Sequence, residues 1–573
     1  MAFEWLTQDS RDFLSRGYLI NGTTAEERVK QIADTAENRL KIETLSPTIG
    51  FTDGDIDNAE IEGNDITKGF SDKFYDYMSR GWYSLSSPIW ANFGLGRGLP
   101  ISCYGSYIDD SMLGILDSAK EIGIMSKYGG GTSAFFGDVR PRGSDIRDNG
   151  LSEGSVNFMR LFNTLIDVTK QGGTRRGAFV SYLPMEHKDI DEFLQIKTEG
   201  NPIQGIFTGV TVSDDWMRKM IDGDEKKRAL WAKVLKSRSQ IGIPYIFFTD
   251  NVAKGAPEAY ARQGHEILAS NLCSEIALPS TEDESFVCDL SSMNVSKFEE
   301  WEGTDAVETL TYFLDAVMSE FIEKSAKVDG LEKACKFATR HRALGIGVLG
   351  FHDLLQSKDI PFDDLQAYTW NSRVFKHIYE KSAEASKELA KEFGEPEVMT
   401  GFGMRNATLT AVAPTTSSAF ILGQTSQSIE PYRSNYYVKD LSKKKVTVKN
   451  RHLQKTLKEM GKDTDAVWKT ILNNGGSIQH LDFLSEHQKN VYKTFSEIPQ
   501  LAIVQLASSR QRFIDQSQSL NLMIHPDTPL KDINALHIKA WELGVKTLYY
   551  QHSVNAAQEF NKDLLMNCVA CEA

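Results

Sequence analysis

One cysteine of the chain stands between an amide and a carboxylate, in the segment SNLCSEIALP at positions 270–279. If this segment is extended, Asn271, Cys273 and Glu275 project from one face, because successive side chains of a strand alternate. A lone cysteine is most often a small buried hydrophobe. Burying Asn271 and Glu275 beside it would be costly without polar partners, so the spacing favours a functional site over a core. Zinc is less favoured, because no Cys or His stands nearby at ligand spacing.

A second group of thiols lies at the end of the chain, where Cys568 and Cys571 form a C-x-x-C pair. The pair is only half of a zinc site, and its position argues against a core. A vicinal dithiol on a mobile tail is suited to thiol–disulfide exchange with an external reductant. The alternative is an accidental exposed pair, which the general avoidance of exposed free thiols disfavours.

Adjacent tyrosines occur in KTLYYQ, as Tyr549 and Tyr550. Such a doublet commonly places one ring in the core and one at the surface. The functional alternative is a pair of stacked phenols that relays a one-electron oxidation.

Two glycine-rich segments, 129–150 and 170–179, also carry several arginines. Such loops can wrap a phosphate through backbone N–H groups and guanidinium groups, although flexible surface loops have the same composition. A third segment, GIGVLG at 345–350, matches the dinucleotide fingerprint G-x-G-x-x-G. Since a charged, helical sequence precedes it instead of a buried strand, we interpret its glycines as sites of close backbone packing.

The elements that must position these residues change in character near residue 97. Residues 1–95 are predicted to be mainly helical, and the predicted helix at 23–41 begins with a Thr cap and a Glu three positions after Thr24. Short apolar runs then alternate with amphipathic helices such as 365–394. The runs include 99–110, 177–184 and 407–414. This alternation predicts an α/β protein with a largely parallel sheet.

Bulk composition bounds the possible functions. The chain has 573 residues, a net charge of −14 and six cysteines. The length is compatible with several domains or with one large barrel, and the negative charge argues against a nucleic-acid-coating surface. The sequence shows neither an apolar run of membrane-spanning length nor a signal peptide, so we expect a cytoplasmic protein. Because cysteines are so sparse, we do not expect a fold held together by disulfides.

Several long motifs together resemble the large (α) subunit of aerobic, class I ribonucleotide reductases. The similarity extends from about residue 10 to the C-terminus. The motifs are SCYGSYIDDS, KQGGTRRGA, SNLCSEIALP, RNATLTAVAPTTSSAF, SIEPYRSNYY and GVKTLYYQ.

The resemblance implies a role for each residue of the opening motif. Cys273 would become a transient thiyl radical that abstracts the ribose 3′-hydrogen, Glu275 would act as general base on the 3′-hydroxyl, and Asn271 would hydrogen-bond the sugar. All three groups must address one ribose. Cys103 and Cys288 would supply the reducing equivalents, help expel the 2′-hydroxyl as water, and finish as a disulfide.

The same resemblance assigns the C-terminal motifs. Cys568 and Cys571 would re-reduce the internal disulfide with electrons from thioredoxin or glutaredoxin. Tyr549 and Tyr550 would be the last steps of a radical path from a separate, metal-containing small (β) subunit. We therefore expect no metal or other cofactor in this chain. The remaining cysteine, Cys335, is expected to be a buried structural thiol.

Binding sites follow from matched positions in the family pattern. The substrate would contact Ser87, Ser102 and Gly131, and its diphosphate would bind the segment Pro414, Thr415, Thr416, Ser417 and Ser418, where Thr416 replaces the glutamate of many relatives. Deoxynucleotide or ATP effectors would bind at a dimer interface and signal to the base pocket. The matched effector residues are Asp110, Arg140, Ile146, Arg147, Gln171 and Arg175.

The implied fold is a ten-stranded α/β barrel of two five-stranded parallel halves. We expect an N-terminal helical domain at 1–96, the barrel with its effector loops at 97–555, and a flexible redox tail at 556–573. The helical match begins almost at Met1, so an N-terminal ATP-binding cone is expected to be missing. The implied assembly is a homodimer that reduces nucleoside diphosphates. The alternatives are a cobalamin-dependent reductase, against which Tyr549 and Tyr550 argue, and an inactive nucleotide-binding homologue.

Overall fold

The computed structural model describes residues 2–20, 22–45, 66–171, 175–441 and 444–553, with backbone alone at 45, 170–171, 175–176, 438–441 and 444–446. No helix within these ranges is long and apolar enough to cross a membrane. The strands of these ranges are β1 (Tyr83–Leu85), β2 (Cys103–Tyr107), β3 (Gly131–Phe135), β4 (Lys170–Gln171), β5 (Arg175–Arg176), β6 (Ala178–Pro184), β7 (Phe207–Val212), β8 (Tyr245–Phe248), β9 (Phe286–Asn294), β10 (Leu344–Leu349), β11 (Tyr436–Leu441), β12 (Lys444–Lys449), β13 (Leu522–Met523), β14 (Thr547–Leu548) and β15 (Gln551–His552).

The helices alternate with the strands from β2 onward. They are α1 (Gln8–Leu14), α2 (Ala25–Leu45), α3 (Phe70–Ser79), α4 (Ser87–Asn92), α5 (Met112–Lys127), α6 (Ser155–Val168), α7 (Ile190–Phe193), α8 (Asp214–Asp222), α9 (Glu225–Ile241), α10 (Thr249–Lys254), α11 (Glu258–Gln263), α12 (Phe298–Trp301), α13 (Ala306–Ser325), α14 (Glu332–His341), α15 (Phe351–Ser357), α16 (Leu365–Phe393), α17 (Thr416–Ile421), α18 (Arg451–Glu459), α19 (Asp465–Asn473), α20 (Glu486–Val491), α21 (Gln500–Gln511) and α22 (Leu530–Glu542). Short 3₁₀ turns lie at Arg147–Asn149, Val295–Lys297, Glu397–Met399 and Phe495–Glu497.

The first half of the barrel is a parallel sheet in the order β2-β3-β6-β7-β8. Its strands are almost wholly buried and rich in aromatic and small apolar residues, as expected when helices cover one face and the barrel interior the other. Helices α5, α6 and α7 pack on this half.

The second half contains β9 and β10, which are also parallel, followed by segments whose pairing is more irregular. Ile346 pairs with Thr410 and Val412 with Gln518, both in parallel, and β13 pairs in parallel with β15. Antiparallel seams between β2 and β9 and between β8 and β14 join the two halves. The described residues therefore close a ten-stranded barrel of two parallel halves, which confirms the predicted fold.

Three local predictions are confirmed. Helix α2 begins with a capping box, in which the Thr24 backbone N–H donates to the Glu27 carboxylate at 2.8 Å and the Glu27 N–H donates to Thr24 Oγ1 at 3.2 Å. The predicted helix at 365–394 is α16. The glycines of 345–350 give close packing, since a Cβ at Gly347 would lie 2.6 Å from the Ala411 carbonyl oxygen.

A buried ionic cluster ties the N-terminal helices to the barrel. The carboxylate of Asp315, on α13, accepts hydrogen bonds from Arg342 Nε, Arg405 Nε and Asn406 Nδ2, each at 2.9 Å. Arg405 also donates to Glu43 of α2 at 2.9 Å. The two guanidinium groups hold the pKa of Asp315 well below its usual range, against the effect of its burial.

Substituting Asp315→Asn removes the charge while keeping the shape, so it leaves two buried guanidinium groups short of a counter-ion. We expect the free energy of unfolding to fall by about 3–5 kcal/mol, measured by urea denaturation. Asp215→Asn, which breaks an exposed pair with Lys219, is the matched control and should cost under about 1 kcal/mol. Equal, small effects of both changes would contradict the role of the cluster.

Candidate active site

Residues 271–275 form a turn, so the predicted extended arrangement of Asn271, Cys273 and Glu275 is wrong. Ser274 adopts a left-handed conformation with φ of +67°, and its N–H donates to the Asn271 carbonyl at 3.3 Å. Polar contacts from neighbouring strands hold this otherwise unfavourable backbone. The three side chains are brought together by a folded loop and not by strand alternation.

This turn lies inside the barrel. Cys273 and its neighbours from 269 to 280 are buried. From the first half, Tyr182 on β6 donates its hydroxyl to the Asn271 carbonyl at 3.1 Å. From the second half, the Ser517 N–H donates to the Glu275 carbonyl at 2.8 Å, and Ser519 Oγ donates to the Cys273 carbonyl at 2.5 Å. Contacts with both halves place Cys273 within the barrel.

Glu275 is a buried carboxyl whose environment favours its neutral form. Burial raises its pKa to about 7, although polar contacts with Asn271 and Ser519 oppose the rise. Ser519 Oγ lies 3.1 Å from Glu275 Oε2. Glu275 Oε1 and Asn271 Nδ2 make no well-formed hydrogen bond with any described residue. A carboxyl with a pKa near neutrality beside a spare amide can accept a proton from a bound hydroxyl and orient that hydroxyl.

Cys103 and Cys288 stand directly opposite each other on β2 and β9, at the antiparallel seam. Such pairs have Cα atoms about 4.5–5.5 Å apart, within the range of about 4.4–6.8 Å that a disulfide requires. Neither is in a disulfide here; Cys288 is fully buried and Cys103 is 7% exposed. Burial raises the pKa of the Cys288 thiol well above its usual range. The two sulfurs are therefore placed to exchange two electrons as a dithiol–disulfide pair.

Sequence reasoning missed the segment that connects these parts, DQSQSLN at 515–521. Gln516 Nε2 donates to Cys288 Sγ at 3.2 Å, while its Oε1 accepts from the Ala277 N–H, beyond the Cys273 turn, at 3.1 Å. Ser517 and Ser519 hold the turn itself. The signal was the unbroken run of uncharged polar residues at 516–519, followed by a further one at 521, beside apolar neighbours.

Tyr549 and Tyr550 are both buried, with ring centroids 4.3 Å apart. The interpretation of one core ring and one surface ring is therefore wrong. Tyr245, at the start of β8, is a third ring that sequence reasoning missed; its centroid lies 4.7 Å from that of Tyr549 and 5.1 Å from that of Tyr550. The buried Arg238 donates to the Tyr549 carbonyl at 2.9 Å. The result is a compact phenol cluster at the β8–β14 seam.

The predicted diphosphate segment 414–418 begins two residues after Val412, whose carbonyl accepts from the Ser519 N–H at 2.9 Å. It therefore starts beside the strand that holds the Cys273 turn. Thr415 has a φ of +55°, and its Oγ1 accepts from the Ser428 N–H at 2.8 Å. The hydroxyl groups of Ser417 and Ser428 are buried and have no hydrogen-bond partner among the described residues. These two buried hydroxyl groups, one in the segment and one beside it, could bind a polar ligand.

The other predicted substrate contacts are buried at strand and helix ends. Ser87 is the first residue of α4, directly after β1. The Ser102 carbonyl accepts from the Gly131 N–H at 2.8 Å, so these two residues adjoin Cys103 at the start of β2 and β3. Helix α17, which contains Thr416, Ser417 and Ser418, packs beside β1.

Four of the predicted effector residues lie together. Asp110 accepts from Arg140 Nε at 2.8 Å, and Arg140 also donates to the Asp145 carbonyl at 3.2 Å, next to Ile146 and Arg147. Gln171 and Arg175 are backbone partners in the β4–β5 pair, which packs near α5. Their side chains, and the tail cysteines Cys568 and Cys571, lie outside what the structure describes. Cys335 is only half-buried, although its thiol donates to the Ile322 carbonyl of α13 at 3.6 Å, so the prediction of a buried thiol is wrong.

Comparison with known proteins agrees with this geometry. The family model for the ribonucleotide reductase barrel domain matches residues 101–228, 223–402 and 396–551. The chain belongs to the ribonucleotide reductase family. It is 34% identical over 530 residues to a putative ribonucleoside-diphosphate reductase large subunit of Frog virus 3 (isolate Goorha), covering 88% of this chain and 92% of that protein. The large subunit of Invertebrate iridescent virus 3 is 32% identical, over 84% of this chain and 87% of that protein.

Among solved structures, the class Id ribonucleotide reductase alpha subunit of Actinobacillus ureae is similar over nearly its whole length. The TM-score is 0.88 at 53% sequence identity, covering 97% of this chain and 99% of that one. As a ribonucleotide reductase, the chain has an active site that must bind a ribonucleotide. The polar turn at Cys273 is the candidate for that site.

The buried carboxyl of Glu275 predicts a pH-dependent stability. Its pKa is about 7 in the folded protein and 4.5 as a free side chain, so the folded state retains a proton that the unfolded state loses. The stabilisation that comes from this proton is therefore fully present below pH 4.5 and is lost as the pH rises to 7. Relative to Glu275→Gln, the wild-type protein should lose roughly 3 kcal/mol of unfolding free energy over that interval.

Urea denaturation at several pH values measures the difference. The exposed Glu258, paired with Arg262 on α11, supplies the control Glu258→Gln, whose difference from wild type should stay nearly constant with pH. If the unfolding free energies of wild type and Glu275→Gln changed in parallel with pH, the carboxyl would be shown to ionise at its ordinary pKa.

Proposed function

We propose that the chain is the large (α) subunit of a class I ribonucleoside-diphosphate reductase and converts ribonucleoside diphosphates to deoxyribonucleoside diphosphates. The observation that carries the proposal is the juxtaposition of a cross-strand thiol pair, Cys103 and Cys288, with the Cys273–Glu275 turn, through the side chain of Gln516. Such a reaction needs one thiol for hydrogen abstraction and two for reduction, and Cys273, Cys103 and Cys288 are three buried thiols of the described barrel.

In this proposal Cys273, as a thiyl radical, abstracts the 3′-hydrogen of the ribose and later returns it. Glu275 takes the proton of the 3′-hydroxyl, for which its pKa of about 7 is well matched to neutral pH. Asn271 Nδ2, which makes no well-formed hydrogen bond with the described residues, donates to a sugar hydroxyl. The buried position excludes water and so protects the radical from side reactions.

Cys103 and Cys288 supply the two electrons. The 2′-hydroxyl leaves as water after protonation, hydrogen replaces it, and the two sulfurs become joined as a disulfide. Their direct cross-strand placement supports this step because the disulfide can form with little backbone movement. The tail pair Cys568 and Cys571 then reduces the disulfide and is itself reduced by thioredoxin or glutaredoxin. Chemistry that depends on reduced thiols supports a cytoplasmic location.

The radical is delivered to Cys273 by a separate small subunit that holds the metal-radical cofactor. Tyr549 and Tyr550 are the last steps, and their ring separation of 4.3 Å supports rapid transfer between them. The tyrosine pair also adjoins the segment that holds the Cys273 turn, since the Tyr549 N–H donates to the Leu520 carbonyl, next to Ser519, at 2.9 Å. A cobalamin-dependent reductase would have no need of such a cluster.

Nucleotides are recognised at two places. Substrate binds Ser87, Ser102, Gly131 and the segment 414–418, with the unfilled hydroxyl of Ser417 among its partners. Effector deoxynucleotides or ATP bind near Asp110, Arg140, Ile146 and Arg147, and the loop containing Gln171 and Arg175 passes the signal to the base pocket.

A homodimer completes the proposal. Helices α5 and α6 pack together and present a group of exposed apolar side chains, which are uncommon on free surfaces. A second copy of the chain would bury this face beside the effector site, as an isologous contact requires. The exposed residues are Met112, Leu113, Leu116, Leu161 and Val168.

The proposed chemistry is tested by turnover of a labelled ribonucleoside diphosphate with dithiothreitol, with and without candidate small subunits. Cys273→Ala should abolish turnover while nucleotide binding persists, because the radical thiol is lost and the binding loops remain. Cys103→Ser should allow no catalytic cycle, because no disulfide can form. Normal turnover by Cys273→Ala would refute the proposal.

Cys568→Ala provides the matched comparison. It should lose the thioredoxin-driven reaction and retain the dithiothreitol-driven one, because a small dithiol can replace the tail. Equal loss with both reductants would refute the shuttle role of the tail.

The dimer surface is tested by Leu116→Glu. A charge buried at an apolar contact should raise the dimer dissociation constant at least about tenfold, measured by sedimentation equilibrium. Leu365→Glu is the control, since Leu365 is 83% exposed at the first turn of α16, away from α5 and α6. An unchanged dissociation constant for Leu116→Glu would place the subunit contact elsewhere.

A further inference from the structure

The Gln516 side chain connects the thiol pair to the Cys273 turn and is completely buried. Its Nε2 donates to Cys288 Sγ at 3.2 Å, to the Leu344 carbonyl at 3.0 Å and towards Thr408 Oγ1 at 3.1 Å. Its Oε1 accepts from the Ala277 N–H at 3.1 Å. Every polar atom of this amide is therefore used.

These contacts fix which way the amide faces. The Ala277 N–H can only donate, and the Leu344 carbonyl can only accept. If the oxygen and nitrogen of Gln516 were exchanged, its NH₂ group would face the Ala277 N–H and its oxygen would face the Leu344 carbonyl, so neither hydrogen bond could form. The N–H groups must therefore point towards Cys288.

The two sulfurs differ in accessibility, because Cys103 is 7% exposed and Cys288 is fully buried. Burial raises the pKa of Cys288 and so disfavours a thiolate there, and the Gln516 N–H at 3.2 Å opposes that cost. A hydrogen bond to a charged acceptor is roughly twice as strong as one to a neutral acceptor, so Gln516 stabilises the thiolate of Cys288 more than its thiol or disulfide form. In thiol–disulfide exchange the attacked sulfur must be reachable, and the departing sulfur leaves as a thiolate.

We propose that reduction of the Cys103–Cys288 disulfide has a fixed direction: the reductant attacks the Cys103 sulfur, and Cys288 departs as a thiolate hydrogen-bonded by Gln516. The attacking thiolate of a dithiol forms a bond to Cys103 Sγ as the S–S bond breaks, and the electron pair passes to Cys288, which later takes a proton. The second thiol of the reductant attacks the mixed disulfide and releases Cys103, leaving the reductant oxidised. Gln516 is a positioning residue for this step. The inference rests on the proposed function, in which this disulfide is the product of turnover.

The direction is tested on the full-length chain carrying Cys568→Ser and Cys571→Ser, so that the tail cannot exchange. The internal disulfide is formed with diamide and confirmed by peptide mapping. A short exposure to 2-mercaptoethanol, quenched by acid and alkylation, traps the first mixed disulfide for mass spectrometry. We expect the mercaptoethanol adduct on Cys103 and the alkyl group on Cys288. An adduct on Cys288, or equal amounts on both, would overturn the proposal.

The role of Gln516 is tested by rates of reduction with dithiothreitol. Gln516→Met keeps the volume but loses the donor, so reduction should slow by about 10- to 100-fold. Gln518→Met is the matched control: Gln518 is equally buried two residues along and bonds Arg510, Gln511 and the Ala507 carbonyl, with no sulfur contact. Its variant should reduce within about twofold of wild type even though it loses stability by a comparable amount. Equal rates of disulfide reduction for the two variants would show that Gln516 has no specific role in this step.

Failure of this inference differs from failure of the proposed function. If turnover with substrate produces no Cys103–Cys288 disulfide, the proposed function fails. If the disulfide forms but is attacked at Cys288, only the direction is wrong. The adduct measurement needs no Gln516 variant, so it remains decisive even if Gln516→Met does not fold.

Discussion

The Cys273 turn stays within the barrel because residues 516–519 satisfy its polar groups. A loop inside a barrel has no water to bond its backbone, so each unpaired carbonyl or N–H would cost free energy comparable to a lost hydrogen bond. Ser517 and Ser519 bond the carbonyls of Glu275 and Cys273, and Gln516 bonds the Ala277 N–H. Three successive contacts from one segment thus allow the irregular loop, including the left-handed Ser274, to exist at the centre of the fold.

This constraint also creates the chemistry of the site. The segment satisfies the backbone of the turn but leaves Glu275 Oε1 and Asn271 Nδ2 without a well-formed bond to any described residue. The burial that excludes water also raises the pKa of Glu275 to about 7 and that of Cys288 above its usual range. The site is therefore costly in stability, as expected where polar groups are kept for a ligand. The closed, largely apolar barrel around it offsets that cost.

Some parts of this structure could be predicted from the sequence and others could not. Helix α2 was predictable because the Thr24–Glu27 capping box is local, and α16 because its apolar period persists over many turns. The closed barrel came from the family resemblance, since the run at 407–414 predicts sheet but not its partners, with which it pairs only through single bridges at Thr410 and Val412. The extended form of 271–275 was wrong because alternation of polar residues occurs in turns as well as strands. Tyr245 and Gln516 were missed because their importance comes from contacts across the barrel, far apart in the chain.

The thiol pair and the tyrosine cluster lie at the two antiparallel seams of the barrel. Cys103 and Cys288 face each other where β2 meets β9, and the tyrosine cluster lies where β8 meets β14. Antiparallel neighbours bring residues directly opposite each other at short range, which parallel neighbours do not do as closely. The Cys273 turn belongs to the connection between β8 and β9, the strands that contribute to the two seams. The chain that passes from one seam to the other therefore carries Cys273, and this order agrees with the proposed function, in which radical delivery is followed by reduction.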